Sequence, residues 1–324
     1  MKRFLPYLFL SIILFGCDDG DLTVENINFE DAVARRCGTL LYKMAANEAL
    51  ILEINDEAAL NEAVLSDATT AGSPRVYQID SNHRVIYRSY DGDLATENIC
   101  GSIPPATPSV VEEWTATSGT IEITTTPIIN NNEEQPGGQI IIGYRHSIIF
   151  RNINFLKPNG AQQYEAFVFG DYTPTGFTPL PFNFSGTLEK CTSSNLVFDY
   201  TGNEALVLNI DPALIVNQAT PAGSPRTGLL SATTNILNYI GFYSGPLTPE
   251  YFCTDPLPST PVISEVWTGV DGMANSSGII EVTTTADGAN FIHEIRLKNV
   301  TFKKGNTTFF LATDYLFGQL TTTN

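Results

Sequence analysis

In "ALILEIN", residues 49–55, Leu50, Leu52 and Ile54 fall on one side of an extended chain and Ile51 and Glu53 on the other. Period two marks a half-buried strand. "TIEITTT" (120–126) repeats the pattern, with Ile121 and Ile123 inward and Thr120, Glu122 and Thr124 outward. "VIYRSY", "QIIIGY", "EAFVFGDY" and "NTTFFLATDY" are rich in the β-branched and aromatic residues that suit pleated surfaces. Helical periodicity is sparse. The best candidate is "NDEAALNEAV" (55–64), where Asn55 can cap and acids fill the first turn; later in the chain Asp211 precedes Pro212 in the same relation.

The pattern is written twice. "NEALILEIN" (47–55) returns as "NEALVLNID" (203–211), "AGSPR" (71–75) at 222–226, and "SGTIEITTT" (118–126) as "SGIIEVTTT" (277–285). Trp114 aligns with Trp267, "YDGDLATENIC" (90–100) with "YSGPLTPEYFC" (243–253), and "RHSIIFRNINF" (145–155) with "IHEIRLKNVTF" (292–302). The unit is a domain and too long for a solenoid repeat. "INFEDAVARRC" resembles "FNFSGTLEKC" as a lead-in, and the first copy is read as ending at "FGDY" where the second has "ATDY". Domains are therefore expected at 26–172 and 182–324, joined by the Pro-rich 173–181. The fold class expected is all-β: two tandem homologous antiparallel β-sandwiches or jelly rolls, each with at most one short helix. Within each copy the inward parity of His146, Ile148 and Phe150, or His293, Ile295 and Leu297, reverses at Ile153 or Val300. A β-bulge or bend near Asn152 and Asn299 would reconcile the two faces.

Hydrophobic residues are 43% of 324, enough for packed cores, and a formal charge of −18 opposes a phosphate backbone, so nucleic acid is excluded as a partner. Cys37, Cys100, Cys191 and Cys253 repeat one spacing, which predicts Cys37–Cys100 and Cys191–Cys253 disulfides in an oxidising compartment.

At the N-terminus Lys2 and Arg3 precede an apolar run, Phe4–Phe15, too short to span a bilayer as a helix. Leu14, Phe15, Gly16 and Cys17 resemble the lipobox of bacterial lipoproteins. The resemblance implies a signal peptide over 1–16, lipid on Cys17, a tether over 17–25 and membrane attachment through that lipid. The "DDGD" after Cys17 looks like the surface-export signal of Bacteroidetes-type lipoproteins, which implies the outer membrane, at its periplasmic face or the cell surface, with the surface favoured.

Compact catalytic motifs are missing from the sequence: no G-x-S-x-G, H-E-x-x-H, Walker A or G-x-G-x-x-G. The three histidines are His83, in a turn, and the matched His146 and His293, read as hydrogen-bonded groups at the core edge. Arg75 and Arg226 are expected to pair with Glu97 and Glu250, and the acidic "DGDLATEN" (91–98) is better read as a solvated loop than as a calcium site, because the second copy loses both aspartates. Candidate ligand-binding residues are the aromatics kept in both copies, Tyr90 and Tyr243 before turns and Trp114 and Trp267, the tryptophans being more at home in the core. The expected function is a non-enzymatic, membrane-anchored binding or adhesion protein for a glycan or protein partner, without cofactor or metal. The alternatives are an accessory subunit of an outer-membrane complex and, by fold analogy alone, a carbohydrate-active hydrolase.

Overall fold

A computed structural model describes residues 27–55, 74–135, 137–243, 245–305 and 307–323. The signal peptide expected over 1–16, Cys17, the tether expected over 17–25 and the helix expected over 55–64 lie outside these residues, apart from Asn55 itself.

The first copy contains β1 (Arg35–Cys37), β2 (Leu40–Ala45), β3 (Glu48–Ile54), β4 (Arg75–Gln78), β5 (His83–Tyr90), α1 (Glu97–Cys100), β6 (Val110–Asn132), β7 (Gly138–Lys157) and β8 (Gly160–Tyr172). The second contains β9 (Glu189–Lys190), β10 (Leu196–Thr201), β11 (Glu204–Asn209), a 3-10 turn (Pro212–Leu214), β12 (Arg226–Leu229), β13 (Ile236–Phe242), α2 (Pro249–Cys253), β14 (Ile263–Gly269), β15 (Ile279–Asp287), β16 (Asn290–Lys304) and β17 (Thr307–Thr323). Each copy is one antiparallel hydrogen-bonded sheet folded on itself, in the order β1-β2-β3-β5-β6-β7-β8 with β4 on β6, and β12-β15-β16-β14-β13-β11-β10-β9 with β17 on β16. Sequential strands are neighbours through most of each sheet, a meander in place of the paired Greek keys of a jelly roll.

Strand β6 makes the fold a sandwich. Its first residues pair with β5 (Ile86 opposite Thr115) and its middle with β4 (Tyr77 opposite Ile121), so one strand passes between the two layers. The passage occurs at Gly119, φ +124°, where a Cβ would lie 2.8 Å from the Ile153 Cα. Only glycine fits, which accounts for the "SG" kept in both copies. Asn152 and Asn299 carry positive φ (49° and 51°) and drop out of their ladders, so the expected strand irregularity is present in both domains.

Leu50, Leu52 and Ile54 enter the core between the layers, with Trp114, Ile121, Phe150 and Phe169. Ile51 was expected on the outer face. It is buried too, in a second cluster with Tyr42, Ile86, Tyr90 and Ile99, because α1 and the disulfide cover that face. Val207 is covered in the same way by Tyr251 and Phe252 of α2. The disulfides Cys37–Cys100 and Cys191–Cys253 clamp these helices, with Cα–Cα distances of 5.9 and 5.3 Å. In the second copy Asp211 accepts from the Ala213 N–H and Pro212 opens the 3-10 turn, as its sequence indicates.

Two features differ from the sequence reading. Gly170 lies opposite Ile148 and Gly318 opposite Ile295, so "FGDY" corresponds to "FGQL" (317–320) and not to "ATDY". The halves also share a core. The far end of the β6–β7 hairpin, which has no counterpart in the second copy, inserts Ile141 and Tyr144 among Phe309, Leu311 and Leu188 of the second domain. Tyr144 packs edge-on against Phe177 at 5.4 Å, and Phe177, Leu180, Phe182 and Phe184 lay the connecting segment on the same core.

Candidate functional site

The aromatics kept in both copies divide by burial. Trp114 and Trp267 are each 1% exposed, and both indoles donate to a carboxylate two residues back, Trp114 Nε1 to Glu112 at 2.7 Å and Trp267 Nε1 to Glu265 at 2.8 Å. Lys157 and Lys304 cover the rings from the outside, with ammonium-to-centroid distances of 4.3 and 5.5 Å. Tyr90, read as partly exposed, is buried beneath α1. No face of these three rings is open to a ligand, so they hold the core. Tyr243 alone is at the surface, 75% exposed.

The repeated "NEAL" has a local explanation. The backbone carbonyls of Asn47 and Asn203 accept from the Tyr90 and Phe242 N–H groups at 2.9 and 2.8 Å, and Asn47 Nδ2 donates back to the Tyr90 carbonyl at 2.9 Å, closing the hairpin onto the neighbouring strand. The following glutamate accepts a core tyrosine hydroxyl: Tyr87 donates to Glu48 at 2.5 Å and Tyr239 to Glu204 at 2.9 Å. Burial raises the pKa of Glu204, while hydrogen bonds from Tyr239, Asn183 and Phe182 oppose the rise. The segment is structural chemistry.

Arg75 and Arg226 belong to a different cluster from the expected Arg–Glu pairs. Arg226 Nη1 donates to Thr284 Oγ1 at 2.8 Å and its Nη2 to the Gln218 carbonyl at 2.6 Å. Thr284 Oγ1 lies 2.9 Å from His293 Nδ1, and His293 Nε2 lies 2.9 Å from Thr322 Oγ1, which donates to Asn217 Oδ1 at 2.5 Å. Because Thr284 receives the Arg226 proton, its own O–H donates to Nδ1, and the network assigns the proton to Nε2. In the first domain Arg75 donates to Thr125 at 3.4 Å and Thr125 meets His146 Nδ1 at 2.8 Å. Both histidines are fully buried. Burial lowers both pKa values, His146 to about 4 with Arg75 and Arg36 adding to the effect, and His293 with help from Arg226. A neutral histidine sealed beside an arginine cannot reach a substrate, so this is a core network.

His83 stands at the turn: Asp80 Oδ1 accepts the Asn82 and His83 N–H groups at 2.7 and 2.9 Å. Asp91, considered as a calcium donor, instead accepts the Ser109 N–H at 2.8 Å and its hydroxyl at 2.5 Å, bracing the loop after Cys100. Among the described residues no group of three or more His, Cys, Asp or Glu side chains is placed to hold a metal ion.

Exposed aliphatic side chains are spread over both domains, among them Val33, Val76, Val168 and Met273, and one group of them sits at each disulfide-clamped end. Three residues past Cys100 is Ile103, 88% exposed, and four past Cys253 is Leu257, 51% exposed, each in a proline-rich loop. Val110 and Val111 flank the first loop, and Val262, Ile263 and Tyr243 the second. The second loop is held by the Tyr251 hydroxyl donating to the Pro261 carbonyl at 3.2 Å, beside a cleft of about 420 Å³ lined by Gly245, Pro246, Thr248 and Glu250. Tyr243 is legible in the sequence, and the aliphatic tips carry only the signal of the proline-rich text that follows each second cysteine.

The fold and these surfaces define an all-β protein of two disulfide-closed sandwich domains. Comparison of the chain with protein-family models, with curated proteins and with solved structures finds no match to any of them. Among the described residues no helix is long and apolar enough to cross a membrane, and the disulfides fit an extracytoplasmic location.

Proposed function

We propose that the chain is a non-enzymatic binding protein of the cell envelope, lipid-anchored through Cys17 to the outer membrane, whose partner is a protein. The observation that carries this reading is the repeated presentation of Ile103 and Leu257 on loops braced by a disulfide and by internal hydrogen bonds. Exposed aliphatic groups on a rigid support match the apolar centre of a protein interface. A glycan module needs open aromatic platforms, and three of the four aromatic candidates are in the core. Two such ends on one anchor raise avidity wherever both engage.

The test uses the full-length protein in the cells that make it. Ile103→Asp with Leu257→Asp should lower recovery of its co-purifying protein at least tenfold without changing its melting temperature. Unchanged recovery, or binding on glycan arrays that survives both substitutions, overturns the reading. Mass spectrometry of the mature N-terminus checks the anchor separately, with an acylated Cys17 expected.

A further inference from the structure

The last strands of the two domains differ in what covers their outer edge. In the second domain that edge is sealed. Gln319 N–H donates to the Gly186 carbonyl at 2.8 Å and Leu188 N–H to the Gln319 carbonyl at 2.9 Å, so the lead-in chain pairs with β17. Farther along, the first domain's hairpin closes on it, Phe310 N–H donating to Gln139 Oε1 at 3.0 Å and Gly138 lying against the Leu311 carbonyl. In the first domain β8 pairs with β7 alone among the described residues. Between the lead-in and β8 there is a cleft of about 450 Å³, lined by Phe29, Lys43, Tyr164, Ala166, Val168 and Gly170 among others.

One exchange of residue explains the difference. Lys43 and Asp199 hold the same place, opposite Leu50 and Leu206 respectively. The buried Asp199 carboxylate accepts from the Ser185 hydroxyl at 3.1 Å and the Gly186 N–H at 2.7 Å, drawing the lead-in onto β17. An ammonium cannot accept a backbone N–H. Lys43 donates instead to the Phe29 carbonyl at 3.0 Å, and the lead-in stands off from β8. Lys43 is buried, faces the cleft, and lies 5.7 Å from the Phe169 ring centroid. Burial lowers the Lys43 pKa and the Asp171 charge opposes this, yet Asp171 is itself engaged by the Ser147 hydroxyl at 2.6 Å and by Arg145 at 3.7 Å, and Glu30 also lines the cleft.

We propose that the outer edge of β8 is a strand-addition site, taking an extended segment of a partner protein that places a carboxylate against Lys43. The inference rests on the protein-partner reading above and names where that partner engages. Edge pairing supplies the affinity through main-chain hydrogen bonds, and side chains spaced two apart supply the selectivity. The second domain shows the same edge occupied by segments of its own chain, and the Lys43 charge selects an acidic one.

The experiment installs a photo-crosslinking residue at Ala166 or Val168, both exposed, in the full-length protein in its own cells, and maps the adducts by mass spectrometry. Expected are adducts to one protein segment containing Asp or Glu, with the two probes labelling residues two apart. Lys43→Met should cut the yield at least tenfold, and Lys43→Arg should restore it. Val168→Glu with the probe at Ala166, changed at a side chain 68% exposed, should also cut the yield and decides the point if Lys43→Met fails to fold. Adducts scattered over many proteins, adducts to a second copy of this chain, or yield indifferent to Lys43 and Val168 each overturn the site. Failure here with a partner still lost on Ile103→Asp and Leu257→Asp leaves the broader proposal standing.

Discussion

His146 and His293 occupy matched positions on β7 and β16, yet only His293 has both ring nitrogens hydrogen-bonded among the described residues. The difference follows from strand length. β17 runs on to Thr323 and brings Thr322 to His293 Nε2, while β8 stops at Tyr172, whose ring stacks on His146 at 6.1 Å.

Both histidines make the fold sensitive to mild acid. Each is held neutral when folded and can take a proton near its ordinary 6.5 when unfolded. Between pH 6.5 and about 4 the unfolded chain therefore binds more protons, so stability is full above 6.5 and falls as the pH drops through that window. For His146 the loss is about 3 kcal/mol once the pH is below both values. Urea midpoints measured from pH 8 to 4 should fall over this range, and His146→Phe should flatten the fall. A midpoint independent of pH in that window refutes the assignment.

The tryptophans give a sharper contrast. Trp114→Ala and Trp267→Ala should each cost about 3–5 kcal/mol, the usual cost of emptying a large aromatic site. Tyr243→Ala, at the surface, should stay within about 0.5 kcal/mol of wild type. Denaturant unfolding of the three variants decides it, and equal small effects would place the indoles outside the core.

Reduction tests the clamped ends. Each disulfide closes a separation of 63 or 62 residues, worth about 4 kcal/mol in the chain-entropy account. Cys37→Ser with Cys100→Ser should lower stability by roughly that much and free the loop bearing Ile103, read as faster proteolysis after Cys100. Unchanged proteolysis would mean α1 is held without its disulfide.

Duplication made much of this legible in the sequence, because two copies that share Leu50 and Leu206, Gly119 and Gly278, or Asn152 and Asn299 reveal which positions the fold demands. The helices α1 and α2 were missed since four or five residues show no helical period, although Pro249 and the acids Glu97 and Glu250 mark their first turns. Period two alone puts Ile51 on the outer face, because the cover that α1 lays over it comes from more than 40 residues on. Local likeness between "FGDY" and "ATDY" outweighed a register that only pairing with β7 and β16 defines. The Arg–Thr–His clusters join an arginine to a threonine 50 or 58 residues on, and although each partner lies in text repeated in both copies, nothing local in that text says that they meet.

The shared core makes a final, separable prediction. Ile141 and Tyr144 belong to the first copy by sequence, yet they are buried against Phe309 and Leu311 of the second. Truncating Ile141 to Ala removes packing from a site where both β17 and the connecting segment would have to shift to fill the gap, so a cost of about 2–5 kcal/mol is expected. That cost should fall on the second domain. Hydrogen exchange should show β17 amides opening faster in Ile141→Ala while β2 and β3 of the first domain keep their protection. Residues 182–324 produced alone should likewise melt below the intact chain, since their core would lack the hairpin. A second domain as stable alone as in the whole protein would mean the hairpin merely rests on its surface.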